Sequence, residues 1–291
     1  MTTVLQLLVN CLQIGAVYIL FSVGLTLVFG VMRIVNFAHG QFFTISALIV
    51  AEAVPRLAGL GVPPVASYLL SAVMGIAVSL VLGFIVYTWG LRYFQRDMVG
   101  SFILTVGLAL VIDGVLLQMV GGTARPVPEI FGGAISFFGV RLAVQGIVVI
   151  VAAIVVTLAL YWSMTRTRLG KALRAVAADH EAAMLQGIPH NRLVLIGFLI
   201  ATGLAAVAGA LIAPMTAVST TIGADYLVKG FIAVIIGGLG STIGAIVGAL
   251  FIASIEAVGG YYFDASSSTL AMFVLVIVVL LFMPKGVLRR G

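Results

Sequence analysis

Arg33, Asn36 and His39 stand three residues apart in MRIVNFAHGQ, followed by Gln41, between two long runs of Val, Leu, Ile and Phe. An imidazole beside an amide and a guanidinium could shuttle a proton, hold an anion or line a wet passage. Nucleophilic or metal chemistry would need further groups. The other histidines, His180 and His190, lie together in one distant polar loop, and the only cysteine, Cys11, sits inside an apolar segment. One cysteine excludes an intramolecular disulfide and a thiolate metal site. No catalytic residue and no metal ligand is therefore assigned. Asp113, in LVIDGVLLQ, reads as the one acid well inside an apolar span. A charge at the centre of a bilayer costs about 2.5–3.5 kcal/mol, so Asp113 is expected to face protein, protonated or paired with Arg33 or His39. Structural and pathway roles stay equally open for it.

The longest polar stretch runs from Thr165 to Arg192 as TRTRLGKALRAVAADHEAAMLQGIPHNR. Leu169, Leu173 and Val176 recur at the spacing of one helical face, leaving Lys171 and Arg174 to reach solvent. Asp179 has the chemistry of an N-cap for a second short helix over Glu181–Gln186, closed by Gly187 and stopped by Pro189. Two short helices exceed what a plain connector needs.

The rest of the chain must hold these groups in a membrane. Of 291 residues, 63% are hydrophobic and 8% charged, against roughly 25% charged in soluble domains. Apolar stretches run at about 4–30, 34–54, 65–91, 99–120, 143–164, 193–217, 227–257 and 268–284, each near the ~20 residues of a helical span. The reading is one all-α polytopic membrane domain over 1–291, with about eight hydrophobic segments. MTTVLQLLVNCLQ lacks a basic n-region and a small-residue cleavage site, and is expected to be a retained membrane segment.

The net charge of +6 is a topology signal rather than a nucleic-acid footprint. Of the 15 Lys and Arg, ten fall at Arg92 and Arg96, at Arg166, Arg168, Lys171, Arg174 and Arg192, and at Lys285, Arg289 and Arg290. Such loops stay in the cytoplasm. With Arg166–Arg192 and the C-terminal cluster inside, 227–257 starts and ends on the outer side, so it cannot be a single crossing. IGGLGST, Ile236 to Thr242, breaks it, and a re-entrant or broken helix is expected. Segment 25–54 is also interrupted, by Arg33–Gly40. Either it too is a broken helix and the N-terminus lies inside, or 4–30 is one span and MRIVNFAHG a tight cytoplasmic hairpin.

Gly240, Gly244 and Gly248, extended by Ala245 and Ala249, form a ridge suited to close helix packing within the subunit or to substrate contact. Gly237, Gly238, Gly240, Ser241 and Thr242 could offer backbone groups to a zwitterion. With Asn36, His39, Gln41 and Asp113 they are the candidate pathway residues. Arg33 reads equally as an interfacial anchor. The external loop 121–142 could receive a partner or simply connect.

Glu181-Ala182-Ala183 with Gly187 resembles the E-A-A-x-x-x-G coupling loop of permeases from bacterial ABC importers. GLTLVFG at Gly24–Gly30, IVNFAHG at Ile34–Gly40, GKALRA at Gly170–Ala175 and the glycine-rich 237–248 resemble the branched-chain amino acid (Liv-type) permease family, over nearly the whole chain. The resemblance implies half of an importer's pore in the bacterial inner membrane, passing branched-chain amino acids or related small solutes. Relatives of that type also carry urea, amides and aromatic acids. It implies a second permease (a homologue or a second copy), two cytoplasmic ATPases and a periplasmic or lipid-anchored binding protein. Lys171, Arg174, Asp179, Glu181, Ala182, Ala183 and Gly187, within a cytoplasmic coupling segment at about 165–192, would couple to the ATPases. The chain has no G-x-x-x-x-G-K-[ST], and Gly240-Ser241-Thr242 lacks the lysine of a phosphate loop. No cofactor is expected on this chain, and ATP belongs to the partners; lipid is a partner and nucleic acid is not. Two other classes compete: an ion-coupled secondary transporter, which usually needs several intramembrane acids, and an intramembrane enzyme, for which no constellation exists.

Overall fold

The computed structural model describes residues 2–95, 97–137 and 139–282. The helices are α1 (Thr2–Met32), α2 (His39–Gly59), α3 (Pro64–Trp89), α4 (Met98–Val120), α5 (Val144–Arg166), α6 (Arg168–Ala178), α7 (His180–Leu185), α8 (His190–Ile212), α9 (Ile222–Gly237), α10 (Thr242–Tyr262) and α11 (Ala265–Phe282). Among the described residues seven of these, α1–α5, α8 and α10, are long and apolar enough to cross a membrane. The chain is an all-α multi-pass membrane protein with one small exception. Ala134–Phe137 (β1) and Val140–Ala143 (β2) pair antiparallel around Gly139, with Ser136 opposite Arg141. Gly139 takes a φ of 78° at that turn, a conformation that glycine adopts without steric cost.

Local chemistry sets the boundaries. Pro64 opens α3 at the position where a missing N–H costs nothing. Asp97, Thr167, Asp179 and Ser241 cap α4, α6, α7 and α10 through their side-chain oxygens. Each satisfies a backbone N–H that the first helical turn leaves without a partner.

α1, α2 and α8 form the buried centre, with α10 packed along α1 and α9 between α10 and α2. Small residues let backbones meet there. A Cβ on Gly40 would lie 2.3 Å from the Gly223 carbonyl oxygen, and one on Gly209 would lie 2.2 Å from that of Phe43. α4 is the opposite case, with only 6% of its apolar window buried. It packs on the centre mainly through Ser101, Thr105 and the edge-on contact of Phe102 with Phe37.

Arg33, Arg92, α6 and α7 gather at one end of the bundle, the basic end: Arg33 bonds to the last turn of α6, and Gln95 shares a cavity with Arg33, His180 and His190. Arg96, Lys285, Arg289 and Arg290 lie outside the described residues. At the opposite end Gln6 exchanges two hydrogen bonds with the Arg141 backbone, and Arg125 pairs with Glu52.

The two interrupted segments resolve differently. α1 is one unbroken helix, and the chain turns at the basic end. Residues 25–54 are therefore not one broken helix, and α1 is one span, but MRIVNFAHG is not a tight hairpin outside the bundle either, since Ile34, Asn36, Ala38 and His39 are buried within it. The reason is local: Arg33 takes a φ of 54°, which stops α1 and reverses the chain. Residues 34–38 then run back into the protein, with Ile34, Asn36 and Ala38 at 2% exposure or less. Segment 222–262 is broken where the glycines stand. α9 starts beside Gly40, and the break reaches the basic end, where Gly240 meets Gly30; α10 then returns alongside α1 to Tyr262. At 16 residues, α9 is about 24 Å long, short of a full crossing.

Candidate functional site

The predicted coupling residues fall together on and around the pair α6–α7. Leu173 and Val176 are buried against the bundle and Leu169 packs beside them, so α6 lies on the protein by the face that the spacing marks. Lys171 and Arg174 are exposed. Asp179 accepts hydrogen bonds from the N–H groups of Glu181 at 3.0 Å and Ala182 at 3.1 Å. The Ala182 N–H bond first, then that of Glu181 and the charges of His180 and Arg33, hold its carboxyl below the usual carboxylate range. α7 ends as expected: Gly187 takes a φ of 77°, and the Ile188 N–H returns to the Ala183 carbonyl at 3.1 Å. The two alanines separate, Ala183 packing inward at 4% exposure while Ala182 faces solvent beside Glu181. Leu185 is 87% exposed. This apolar tip is a residue that the sequence reading missed.

Behind α7 lies a cavity of about 580 Å³ lined by Arg33, Gln95, His180, Glu181, His190 and Asn191, among others. Arg33 crosses its edge, donating to the Ala178 carbonyl at 3.2 Å and the Ala177 carbonyl at 3.5 Å. It thus supplies a cation to the C-terminal, partially negative end of α6.

Asn36, His39 and Gln41 do come together, but inside the subunit, at 0%, 0% and 3% exposure. Asn36 is not on a helical face with His39. It precedes α2 and shapes the turn, accepting the Ala38 N–H on Oδ1 at 3.0 Å. Its amide nitrogen makes no hydrogen bond among the described residues, nor do the hydroxyls of Ser22, Thr26 and Thr202, while the His39 ring reaches the Phe21 main chain. The His39 ring lies edge-on to Phe21, centroids 4.8 Å apart, and against Gly24. Asp113 meets Gln41, which donates to it, rather than Arg33 or His39.

The break at Gly237–Thr242 is closed on itself. The Ser241 N–H bonds to the Gly238 carbonyl and the Ser241 hydroxyl accepts the Gly244 N–H, so these groups are satisfied internally. The glycine ridge packs within the subunit: a Cβ on Gly248 would lie 2.0 Å from the Ala233 carbonyl oxygen, and one on Gly244 would lie 2.0 Å from that of Gly237.

Asp113 is not the only acid at depth. Glu256 in α10 pairs with Lys229 in α9 at 2.6 Å and accepts a hydrogen bond from the Tyr18 hydroxyl. Lys229 Nζ lies 5.7 Å from the centre of the Tyr18 ring. Asp225, one turn before Lys229, is exposed. An aromatic series leads inward from this group: Tyr18 edge-on to Tyr226, Tyr226 stacked on Phe43, Phe43 edge-on to Phe21, and Phe21 against His39.

The family described as "Branched-chain amino acid transport system / permease component" matches residues 7–283. The chain belongs to this family of permeases. The permease is 31% identical to the high-affinity branched-chain amino acid transport system permease protein BraD of Pseudomonas aeruginosa, over 98% of this chain and 96% of that protein. It is 29% identical to LivH of Escherichia coli K12, with the same coverage, and 27% identical to the ribose import permease RbsC of that organism, over 94% of this chain and 83% of RbsC. In fold it resembles a metal-chelate type ABC transporter in an inward-facing conformation, with a TM-score of 0.56 and 16% identity over 96% of this chain and 86% of that one. Membership places the chain among ABC-type permease components rather than ion-coupled carriers.

Proposed function

We propose that this permease forms half of an ATP-driven import pathway for branched-chain amino acids or related small organic solutes in a bacterial inner membrane. The observation that carries the reading is the α6–α7 module. A capped six-residue helix, anchored on the bundle through Ala183, presents Glu181, Ala182 and Leu185 to solvent at the basic end. This suits a rigid knob for a groove on a separate ATPase. The small Ala182 permits close approach, the exposed Leu185 offers apolar area, and Lys171 and Arg174 rim it with positive charge. A second permease, homologous or identical, supplies the other half of the pathway, two ATPases bind at the basic end, and a binding protein delivers solute at the opposite end. The largely exposed α4 offers one surface for such an assembly. The ordered strands β1–β2 and the clasp of Arg125 on Glu52 suit a docking platform for the binding protein. Asn36, His39, Gln41, Asp113 and the tip at Gly237, Gly238, Gly240, Ser241 and Thr242 are assigned to the lining and its movement. In this reading the buried polar centre opens as the subunits rearrange.

The test is uptake into proteoliposomes with co-expressed candidate ATPases and binding protein. Glu181→Lys and Gly187→Asp are each expected to abolish ATP-driven uptake while leaving membrane insertion intact. Unimpaired uptake in both variants, or uptake by the permease alone down an ion gradient, would remove the assignment.

A further inference from the structure

The Lys229–Glu256 pair falls within the membrane-spanning length of the bundle. Tyr18, which bonds to Glu256, sits about 18 Å along α1 from Gln6 at one end and about 21 Å from Met32 at the other, at 1.5 Å per residue. Ionised side chains at that depth face a protein interior or a water-filled path, because lipid contact costs several kcal/mol per charge. Yet Lys229 and Glu256 keep 20% and 26% of their side-chain surface open, and Asp225 beside them is exposed. This opening is therefore not a lipid face. A pathway built between two subunits leaves one wall on each, and the open side of this cluster has the chemistry of such a wall.

Resting on the importer reading above, we propose that Asp225, Lys229 and Glu256 form an intramembrane station for a zwitterionic amino acid. The solute's carboxylate draws Lys229 away from Glu256, and its ammonium group takes the freed Glu256 carboxylate together with Asp225. Each ion pair broken is replaced by another, so the solute neither leaves a bare charge behind nor falls into a deep trap. The Tyr18 hydroxyl, already bonded to Glu256, holds that carboxylate in place during the exchange. Selection is for the paired α-charges. An uncharged amide or sugar makes no such exchange.

Two measurements on the complete transporter, with its ATPases and binding protein, test this. In a Cys11→Ser background, Asp225→Cys is expected to react with a membrane-impermeant thiosulfonate, and Ile154→Cys on the apolar face of α5 is not. An unreactive Asp225→Cys would overturn the proposal, since the cluster would then be sealed in an interface. Lys229→Met and Glu256→Gln are each expected to lower ATP-driven L-leucine uptake at least about tenfold, with assembly of the complex retained. The swapped double variant Lys229→Glu, Glu256→Lys is expected to stay defective. Recovery of wild-type uptake in it would reduce the pair to an internal brace and overturn the station. Absence of ATP-driven leucine uptake by the wild-type complex would count against the importer reading itself, while the cysteine labelling reports on the station independently of the solute.

Discussion

The Arg33 guanidinium donates to the main-chain carbonyl of Ala178 at 3.2 Å, across the seam between the end of α1 and the last turn of α6. One residue thus ends the first helix, starts the buried return to His39 and holds the helix that precedes α7. Movement of α6–α7 is therefore expected to pass through Arg33 to the segment carrying Asn36.

Arg33→Ala is expected to uncouple uptake from ATP hydrolysis while leaving the protein folded. Arg33→Gly separates anchoring from backbone conformation. Glycine relieves the left-handed φ of 54°, worth about 1 kcal/mol, yet supplies no guanidinium. Uptake assays and detergent melting should show Arg33→Gly more stable than Arg33→Ala and equally uncoupled. Coupled uptake in either variant would dismiss the tie.

Asp179 has a folded pKa below the ordinary carboxylate value. Such a group contributes stability above its unfolded pKa and loses it as pH falls through the lowered folded value. The cap on α7 is therefore intact from about pH 5 to pH 8. Asp179→Asn keeps an acceptor oxygen and should couple normally across that range. Asp179→Ala should lower binding-protein-stimulated ATPase activity severalfold at every pH in it. A defect appearing only toward the acid end would contradict the cap.

Gly248→Ala and Gly237→Ala place a methyl 2.0 Å and 1.9 Å from the carbonyl oxygens of Ala233 and Gly244. Each should destabilise the α9–α10 hairpin by about 1–3 kcal/mol, read as earlier melting in detergent. Gly107→Ala meets nothing within 4 Å and should instead stabilise α4 by up to about 1 kcal/mol. Equal melting of all three variants would refute the close packing.

Glu52 receives both Arg56 and Arg125, and Arg125 also exchanges two main-chain hydrogen bonds with Val218. Glu52→Ala should raise amide hydrogen exchange at Arg125 and Val218 by about tenfold, in line with loss of partly exposed ion pairs. Unchanged protection would show that the loop holds itself.

The spans, the caps at Asp179 and Gly187 and the break at 237–242 were legible because each rests on local chemistry: apolar length, one side-chain oxygen, one glycine with positive φ. Where α1 ends was not, because Arg33 in a left-handed conformation has no local signature. The strands β1 and β2 left only the weak alternation of ISFFGVRL around Gly139. For the candidate site, the place of α6–α7 could be read from its motif, but which alanine faces outward depends on how α7 lies against the bundle. Lys229 and Glu256 escaped notice because they stand far apart in sequence, each looking like an isolated charge near the end of an apolar run. Only the antiparallel return of α10 along α9 places them side by side. The burial of Asn36 and His39 depends in the same way on α8 and α9, which lie far along the chain.

α1 packs chiefly on α10 and α8, both made long after it. During synthesis the first helix enters the bilayer with none of its lasting neighbours present and must wait there while most of the chain is threaded in. Thr2–Met32 carries no charged residue, and the charges that Tyr18 later meets sit on the late helices α9 and α10. α1 can therefore dwell in lipid without a partner, and the charges that Tyr18 meets arrive with α9 and α10.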